Sequence, residues 1–285
     1  MIRYMGYTAL RNIMIVLTCI AITAGCANFA KQSQPPVVPD GFPGYLASDT
    51  LPNSEALIPP PPAAGSSALA LDQDISRDSL TLRDSPRWTL AAEDADLKFP
   101  SAAGTFSCAL NVPITELDTP HLYTLMRRVL SDISISTSKA KNKYMRARPF
   151  VVNKERTCSP NDEQFLMKNG SYPSGHSAVG WAWALILSEI SPEQADAILA
   201  RGRAFGQSRV ICNVHWQSDV IEGRIMGAAT VARLHADPLF RADLESAKTE
   251  IAVVRAKGLK PTRDCKGEAD ALAQYPQLAP WPANK

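Results

Sequence analysis

The chain has 285 residues, 45% of them hydrophobic, and a formal net charge of +2 at pH 7. That length supports one sizeable domain or two small ones with an ordinary core. The near-neutral charge argues against a nucleic-acid binder, which would carry a strong basic excess or stripe. The sequence contains no zinc-finger spacing, glycine-rich nucleotide loop or internal repeat.

Residues 1–25 read as an export signal, with Arg3 and Arg11 flanking its start and an apolar run from Ile13 to Ile22 that is too short to span a membrane. Thr23-Ala24-Gly25-Cys26 then has the form of a lipoprotein cleavage box. Such a box would make Cys26 the lipid-bearing first residue of the mature chain; with Thr23 in place of the usual Leu, ordinary cleavage nearby is the alternative. Residues 26–50 are expected to be a Pro-rich, partly disordered segment, and a polyproline run follows at positions 59 to 62. No later stretch reaches the ~18 uninterrupted apolar residues of a membrane helix. The expected location is the periplasm, free or tethered to a membrane face.

The folded part is expected over residues 51–260, with a C-terminal tail at 261–285 whose last residues, from Tyr275, are loose. Its periodicity is helical. From Pro120 the residues Leu122, Leu125, Met126, Val129, Leu130 and Ile133 fall on one stripe, with Thr119 at the N-cap. Ser191-Pro192-Glu193-Gln194 reads as a capping box leading into Ile198 and Leu199. Asp237-Pro238 starts a helix with the face Phe240, Leu244, Ala247 and Ile251. No alternating pattern is strong enough for a sheet. Cys108, Cys158, Cys212 and Cys265 lie in this part, an even number that an oxidising compartment would pair in one of three ways.

Three stretches carry the chemistry. Lys141 and Arg148-Pro149 are separated by six residues; Pro173-Ser174-Gly175-His176 follows; and Ser208-Arg209 precedes His215 and Asp219. Placed on one helix, His215 and Asp219 would share a face, so that the carboxylate grips one ring nitrogen and the other is presented to a substrate. Arg209 reads as lying at the start of that helix, where a guanidinium and free N–H groups suit a phosphate. If Ser174 and Gly175 open a helix running to Ile190, their donors sit at its positive end, and Gly175 lets its N–H approach a ligand closely. Lys141 also lies in a basic run with Lys139 and Lys143, where a solvated face is the plain alternative.

These motifs, in this order, resemble the signature of the type 2 phosphatidic acid phosphatase superfamily, which includes the vanadium haloperoxidases. The nearest resemblance is to the class A bacterial non-specific acid phosphatases, soluble secreted members of that superfamily. It extends through Tyr144-Met145-Arg146, Asn169-Gly170-Ser171-Tyr172 and Gly206-Gln207-Ser208-Arg209, over about residues 50 to 255. Ser177 departs from the pattern, which has Thr there, but keeps the hydroxyl.

The resemblance implies an all-α helical bundle in a single globular domain, with ordered packing of 51–66 ahead of the helices. It implies a cofactor-free, metal-independent hydrolysis of phosphate monoesters. His215 would attack phosphorus, Asp219 would fix its tautomer, and His176 would protonate the leaving alkoxide. Lys141, Arg148, Ser174, Gly175 and Arg209 would hold the phosphoryl oxygens. Related phosphatases often carry cysteines at the positions of Cys158 and Cys212, which points to Cys158 with Cys212 and Cys108 with Cys265. Arg146 reads as a structural or rim charge, His121 and His235 as ordinary surface histidines, and Trp181, Trp183 and Trp216 as core. Gly223 and Gly227 are read as allowing close helix packing.

Three alternatives stand beside this reading, besides a non-catalytic lipoprotein that merely binds anions, which the filled motif positions disfavour. One is a vanadium-dependent haloperoxidase on the same scaffold, another a nucleotide pyrophosphatase or phosphotransferase. The third uses the His and Asp side chains as metal ligands. Small phosphate esters are the expected partners, and a homo-oligomer is left open.

Overall fold

Proline and side-chain caps set where the chain turns helical. Pro86, Pro120, Pro149 and Pro238 each occupy a first helical position, where the missing N–H costs nothing. Ser66, Ser85, Ser174, Asp237 and Asp264 each accept a first-turn backbone N–H. The computed structural model describes residues 42–274, all within one compact unit. The expected signal, Cys26 and the last part of the tail lie outside the described residues.

The helices are α1 (Ser54–Leu57), α2 (Ser67–Ser79), α3 (Pro86–Glu93), α4 (Ser107–Leu110), α5 (Pro120–Ser136), α6 (Ser138–Tyr144) and α7 (Pro149–Asn153). They continue with α8 (Glu163–Met167), α9 (Gly175–Ile190), α10 (Ala195–Ile211), α11 (Gln217–Leu234), α12 (Pro238–Ala256) and α13 (Cys265–Ala273). No β-strand forms among the described residues. The result is a single all-α domain, as the periodicity and the resemblance led one to expect.

Helix α9 is at its centre. Its buried residues include Val179, Ala182, Trp183, Ile186 and Leu187 on several sides, because α5, α10, α11 and α12 all pack on it. Gly223 and Gly227 make the α11 contact close. A Cβ at Gly223 would stand 2.4 Å from the Ser174 carbonyl, and one at Gly227 would stand 2.5 Å from that of Ala178. This approach brings the start of α11 against the start of α9, which is where the site lies. The predicted faces of α5 and α12 are buried throughout.

Several local expectations need correction. Thr119 occupies the N-cap of α5, but its side chain does not cap. Glu250 of α12 instead accepts the N–H groups of His121 and Leu122 at 3.0 and 2.9 Å. The Ser191 capping box does not form: Ser191 Oγ turns to the Glu193 carboxylate at 2.8 Å, and a 3-10 turn over Pro192–Gln194 precedes α10. Residues 42–50 lie at the end of the segment expected to be partly disordered, with disorder only before about residue 45, and are anchored where the N–H groups of Tyr45 and Leu46 donate to buried Asp132. Residues 265–273, expected as tail, are helical because Asp264 caps them and the Cys108–Cys265 disulfide binds them to α4.

Cys158–Cys212 is the second disulfide. Closing sequence separations of 157 and 54 residues, the two bonds are each worth about 4–5 kcal/mol in chain-entropy reasoning. No described helix is long and apolar enough to cross a membrane.

Candidate active site

The three motifs meet because two chain reversals aim them at one point. Helix α6 ends at Met145, whose left-handed conformation (φ 41°) turns the chain back, so that Lys141 precedes the turn and Arg146 and Arg148 follow it. Helix α10 ends at Ile211, and Asn213, also left-handed (φ 63°), reverses the chain toward His215. Asn tolerates that region. Its amide also donates to Asn153 Oδ1 and the Glu155 carbonyl at 3.1 and 3.0 Å, which fixes the turn.

This placement differs from the single-helix reading in two respects. His215 is not helical: it precedes Trp216, the N-cap of α11, and Asp219 is in the first turn of that helix. Arg209 is in the last turn of α10, not at the start of α11, and its carbonyl accepts the N–H groups of Val214 and His215. A helix C-terminus suits a cation, so the helix end supports the Arg209 charge and offers no anion-binding N–H groups there. The His215–Asp219 contact nevertheless forms, because a residue just before the N-cap faces the first-turn carboxylate.

His215 is held at both ring nitrogens. Nδ1 lies 3.2 Å from Asp219 Oδ2, and Nε2 lies 3.0 Å from Arg148 Nη1. With Nδ1 donating to the carboxylate, Nε2 carries the lone pair and accepts from the guanidinium. Asp219 is itself oriented: Oδ2 accepts the Trp216 N–H at 2.9 Å and Oδ1 accepts from Arg146 at 2.6 Å. Arg146 also donates to Asp72 of α2 at 2.8 Å and to Ser218 Oγ at 2.8 Å. Arg146 was read as a structural or rim charge, and it proves to be a direct partner of the His215-holding carboxylate. Trp216 is core, as expected, with Nε1 donating to the Ala147 carbonyl at 2.8 Å.

Arg148 is wrapped by carbonyls. It donates to Leu166, Asn169 and Val214 at 2.9, 3.1 and 3.0 Å. Lys141 Nζ donates to the Gly170 carbonyl at 3.0 Å, and Lys141 Cε would be 3.9 Å from a Cβ on Gly175. The Gly175 site itself has room for a methyl group, so its missing side chain matters only to whatever approaches its N–H. Ser174 caps α9 and its N–H donates to the Asp219 carbonyl at 2.9 Å, joining the second motif to the third. Ser174 Oγ accepts from Ser177 N and Ser177 Oγ at 3.2 and 2.9 Å, which leaves its own hydrogen to donate elsewhere. Ser177 thus supplies the hydroxyl expected at that position. His176 Nε2 lies 3.0 Å from the Ala95 carbonyl, and its ring stacks on Phe205.

Arg209 is the outlier. It is 1% exposed, and its Nε and Nη1 are buried without a hydrogen-bond partner. Half-buried Lys141 and the buried Arg148 and Arg209 therefore surround His215, while of these four cations only Arg146 is ion-paired to carboxylates. Burial, reinforced by Arg148, pushes Lys141 down to about 7. Burial also pushes Arg148 and Arg209 down to about 10. Burial and then Arg148, Lys141 and Arg209 hold His215 well below the ordinary imidazole value. Burial and Arg209 do the same to His176, while the Ala95 carbonyl opposes them. Burial raises Asp219, opposed by Arg146 and the Trp216 N–H. Among the described residues no His, Cys, Asp and Glu side chains gather as a metal-binding group.

A family model described as the PAP2 superfamily matches residues 119–241, the span that holds all of these motif residues. A non-specific acid phosphatase of Providencia stuartii is 47% identical over 212 residues, covering 74% of this chain and 86% of its own. The chain belongs to the class A non-specific acid phosphatases of that superfamily. Other relatives of this acid phosphatase include a non-specific acid phosphatase of Salmonella typhimurium, 44% identical with 70% and 80% of the two chains covered. An acid phosphatase of Zymomonas mobilis is 41% identical, with 72% and 77% covered. A solved bacterial vanadium-dependent iodoperoxidase aligns at a TM-score of 0.46 and 18% identity, covering 75% of this phosphatase and 64% of that chain, too loosely to bear on activity.

Proposed function

We propose that this phosphatase hydrolyses phosphate monoesters of broad specificity without a metal, through a phosphohistidine on His215, in the periplasm. The observation that supports this most is the buried, anion-seeking guanidinium of Arg209 beside an imidazole whose Nδ1 is bonded to Asp219. A phosphoryl group brings the negative charge that Lys141, Arg148 and Arg209 lack in the protein itself. The same cations would repel a divalent metal.

The hydrogen bonds support the following steps. His215 Nε2 attacks phosphorus; the N–P bond forms as the P–O bond to the leaving group breaks, and His176 gives the departing oxygen its proton. Water then attacks phosphorus, loses a proton to His176, and displaces His215. Lys141, Arg148, Arg209, the Ser174 hydroxyl and the Gly175 N–H hold the equatorial oxygens. The depressed His215 stays neutral, and so nucleophilic, in acid. A general acid whose pKa is lowered gives up its proton as pH rises, so turnover falls from acid toward neutral pH.

The test is rapid-quench labelling with a ³²P-monoester, quenched in alkali because the N–P bond is acid-labile, on chelator-treated enzyme. Label on His215, and its loss together with at least about a 10⁴-fold fall in kcat in His215→Ala, is expected. Label on another residue, or chelator-sensitive turnover, would reject the mechanism. Vanadate, a mimic of the transferring phosphoryl group, should inhibit; halide oxidation by vanadate-loaded enzyme without phosphatase activity would favour the peroxidase alternative.

A further inference from the structure

Away from the phosphate-binding cations lies a second buried cluster. Asp94 follows the last residue of α3 and is 1% exposed. Its carboxylate accepts from Arg201 Nη1 and Nη2 at 3.1 and 2.5 Å and from Ser208 Oγ at 2.5 Å. The next residue is Ala95, whose carbonyl meets His176 Nε2. Between them Phe205 stacks on the His176 ring at 6.5 Å, and the Arg201 guanidinium lies 5.8 Å over Phe205. Arg201, Phe205 and Ser208 have the spacing i, i+4, i+7, so one face of α10 braces both the carboxylate and the imidazole. Arg201 Nε is also 3.3 Å from Glu268 of α13, the helix bound by Cys108–Cys265.

We propose that Asp94, clamped by Arg201 and Ser208, is the positioning residue of the general acid: it pins the end of α3 so that the Ala95 carbonyl holds His176 Nε2–H and leaves Nδ1 to exchange the proton. This rests on His176 being the acid. The fixed tautomer has a defined consequence. Nδ1–H gives its proton to the leaving oxygen and regains one from the attacking water, while Nε2–H never leaves the carbonyl. The same hydrogen bond favours the imidazolium against burial and the charges that face it, Arg209 of α10, His215 and Arg148.

Leaving-group chemistry separates positioning from mere structure. Glycerol 2-phosphate expels a poor leaving group that needs a proton, whereas 2,4-dinitrophenyl phosphate does not. In Asp94→Asn, kcat/KM for the first should fall about 30–100-fold and for the second within about 3-fold. The alkaline limb of the pH–rate profile for the alkyl ester should move to lower pH, because the contact that raises His176 is loosened. Ser208→Ala removes one donor without uncovering a charge, and should show the same selectivity at about 3–10-fold. It keeps the test decisive should Asp94→Asn fail to fold. Equal losses on both esters, or no loss, overturn the proposal.

His176→Ala provides the reference. It should show the same discrimination, and adding Asp94→Asn to it should cost no more than about 2-fold further. If His176→Ala lowers both esters alike, the assignment of His176 as acid fails and this inference with it. If His176→Ala discriminates but the double variant loses additively, His176 stands and Asp94 does not act through it.

Discussion

Arg201 and Arg209 lie on the same helix, two turns apart, and are 2% and 1% exposed. Arg201 is embraced by two carboxylates, Asp94 and Glu268. Arg209 makes no hydrogen bond through Nε or Nη1 and feels only the longer-range pull of Asp94 and Asp162. Burying a guanidinium costs several kcal/mol unless a partner offsets it. At Arg201 the protein supplies that partner, and the charge is part of the architecture. At Arg209 no such partner is present, and under the proposed mechanism a phosphoryl group would supply it, turning desolvation already spent in folding into affinity for an anion.

Replacing each arginine by methionine should invert their roles. Arg209→Met should lower kcat/KM by about 10²–10³-fold, as expected for a lost donor to the transferring group. In phosphate-free buffer it should unfold no more easily than the parent, and the rise in Tm produced by phosphate should vanish. Arg201→Met should instead cost about 3–5 kcal/mol in urea denaturation, because buried Asp94 keeps only the Ser208 hydroxyl and Glu268 only the distant Arg263. A destabilised Arg209→Met with intact phosphate protection would dissolve the contrast.

Arg146 is an intermediate case, a matched cation that touches the carboxylate bonded to His215. Arg146→Gln should reduce kcat about 10–100-fold through a misplaced His215 ring. Asp72→Asn, one contact further away, should do less. Steady-state rates giving the reverse order would show that Asp72 does more than hold Arg146.

The smallest effect concerns Lys141. Its pKa in the fold is about 7, below that of an ordinary lysine. The destabilising cost of its charge is therefore full below about pH 7 and relieved as pH rises from there toward the ordinary lysine value. A bound anion restores the proton, so phosphate inhibition should weaken by up to about tenfold per pH unit above about 7. Inhibition constants that stayed flat between about pH 6 and 9, after correction for phosphate ionisation, would mean that Lys141 keeps its charge without the anion.

Local signals made much of this legible. Pro120 and Pro238 with their apolar stripes located α5 and α12, because a 3.6-residue period and a first-turn proline act within one helix. Gly223 and Gly227 marked a close helix contact by their spacing, and the fold shows its partner to be α9. Arg146 and Asp72 were not legible in the same way. They are 74 residues apart in sequence and meet at 2.8 Å only because α2 lies against the start of α11. Likewise the Glu250 cap on α5 and the Ala95 carbonyl on His176 join distant segments and leave no local pattern.

By itself the sequence determined the residue types and intervals of the chemistry: a His four before an Asp, a Lys and an Arg-Pro with six residues between them, a Ser-Gly-His at a helix start. It also determined the helical class, through periodicity and caps. Only the tertiary structure decided that His215 precedes its helix, that Arg209 ends another, and which arginine is neutralised within the protein. Spacing records neighbours along the chain, whereas the charge balance of a buried group depends on which distant side chains the packing brings within about 4 Å.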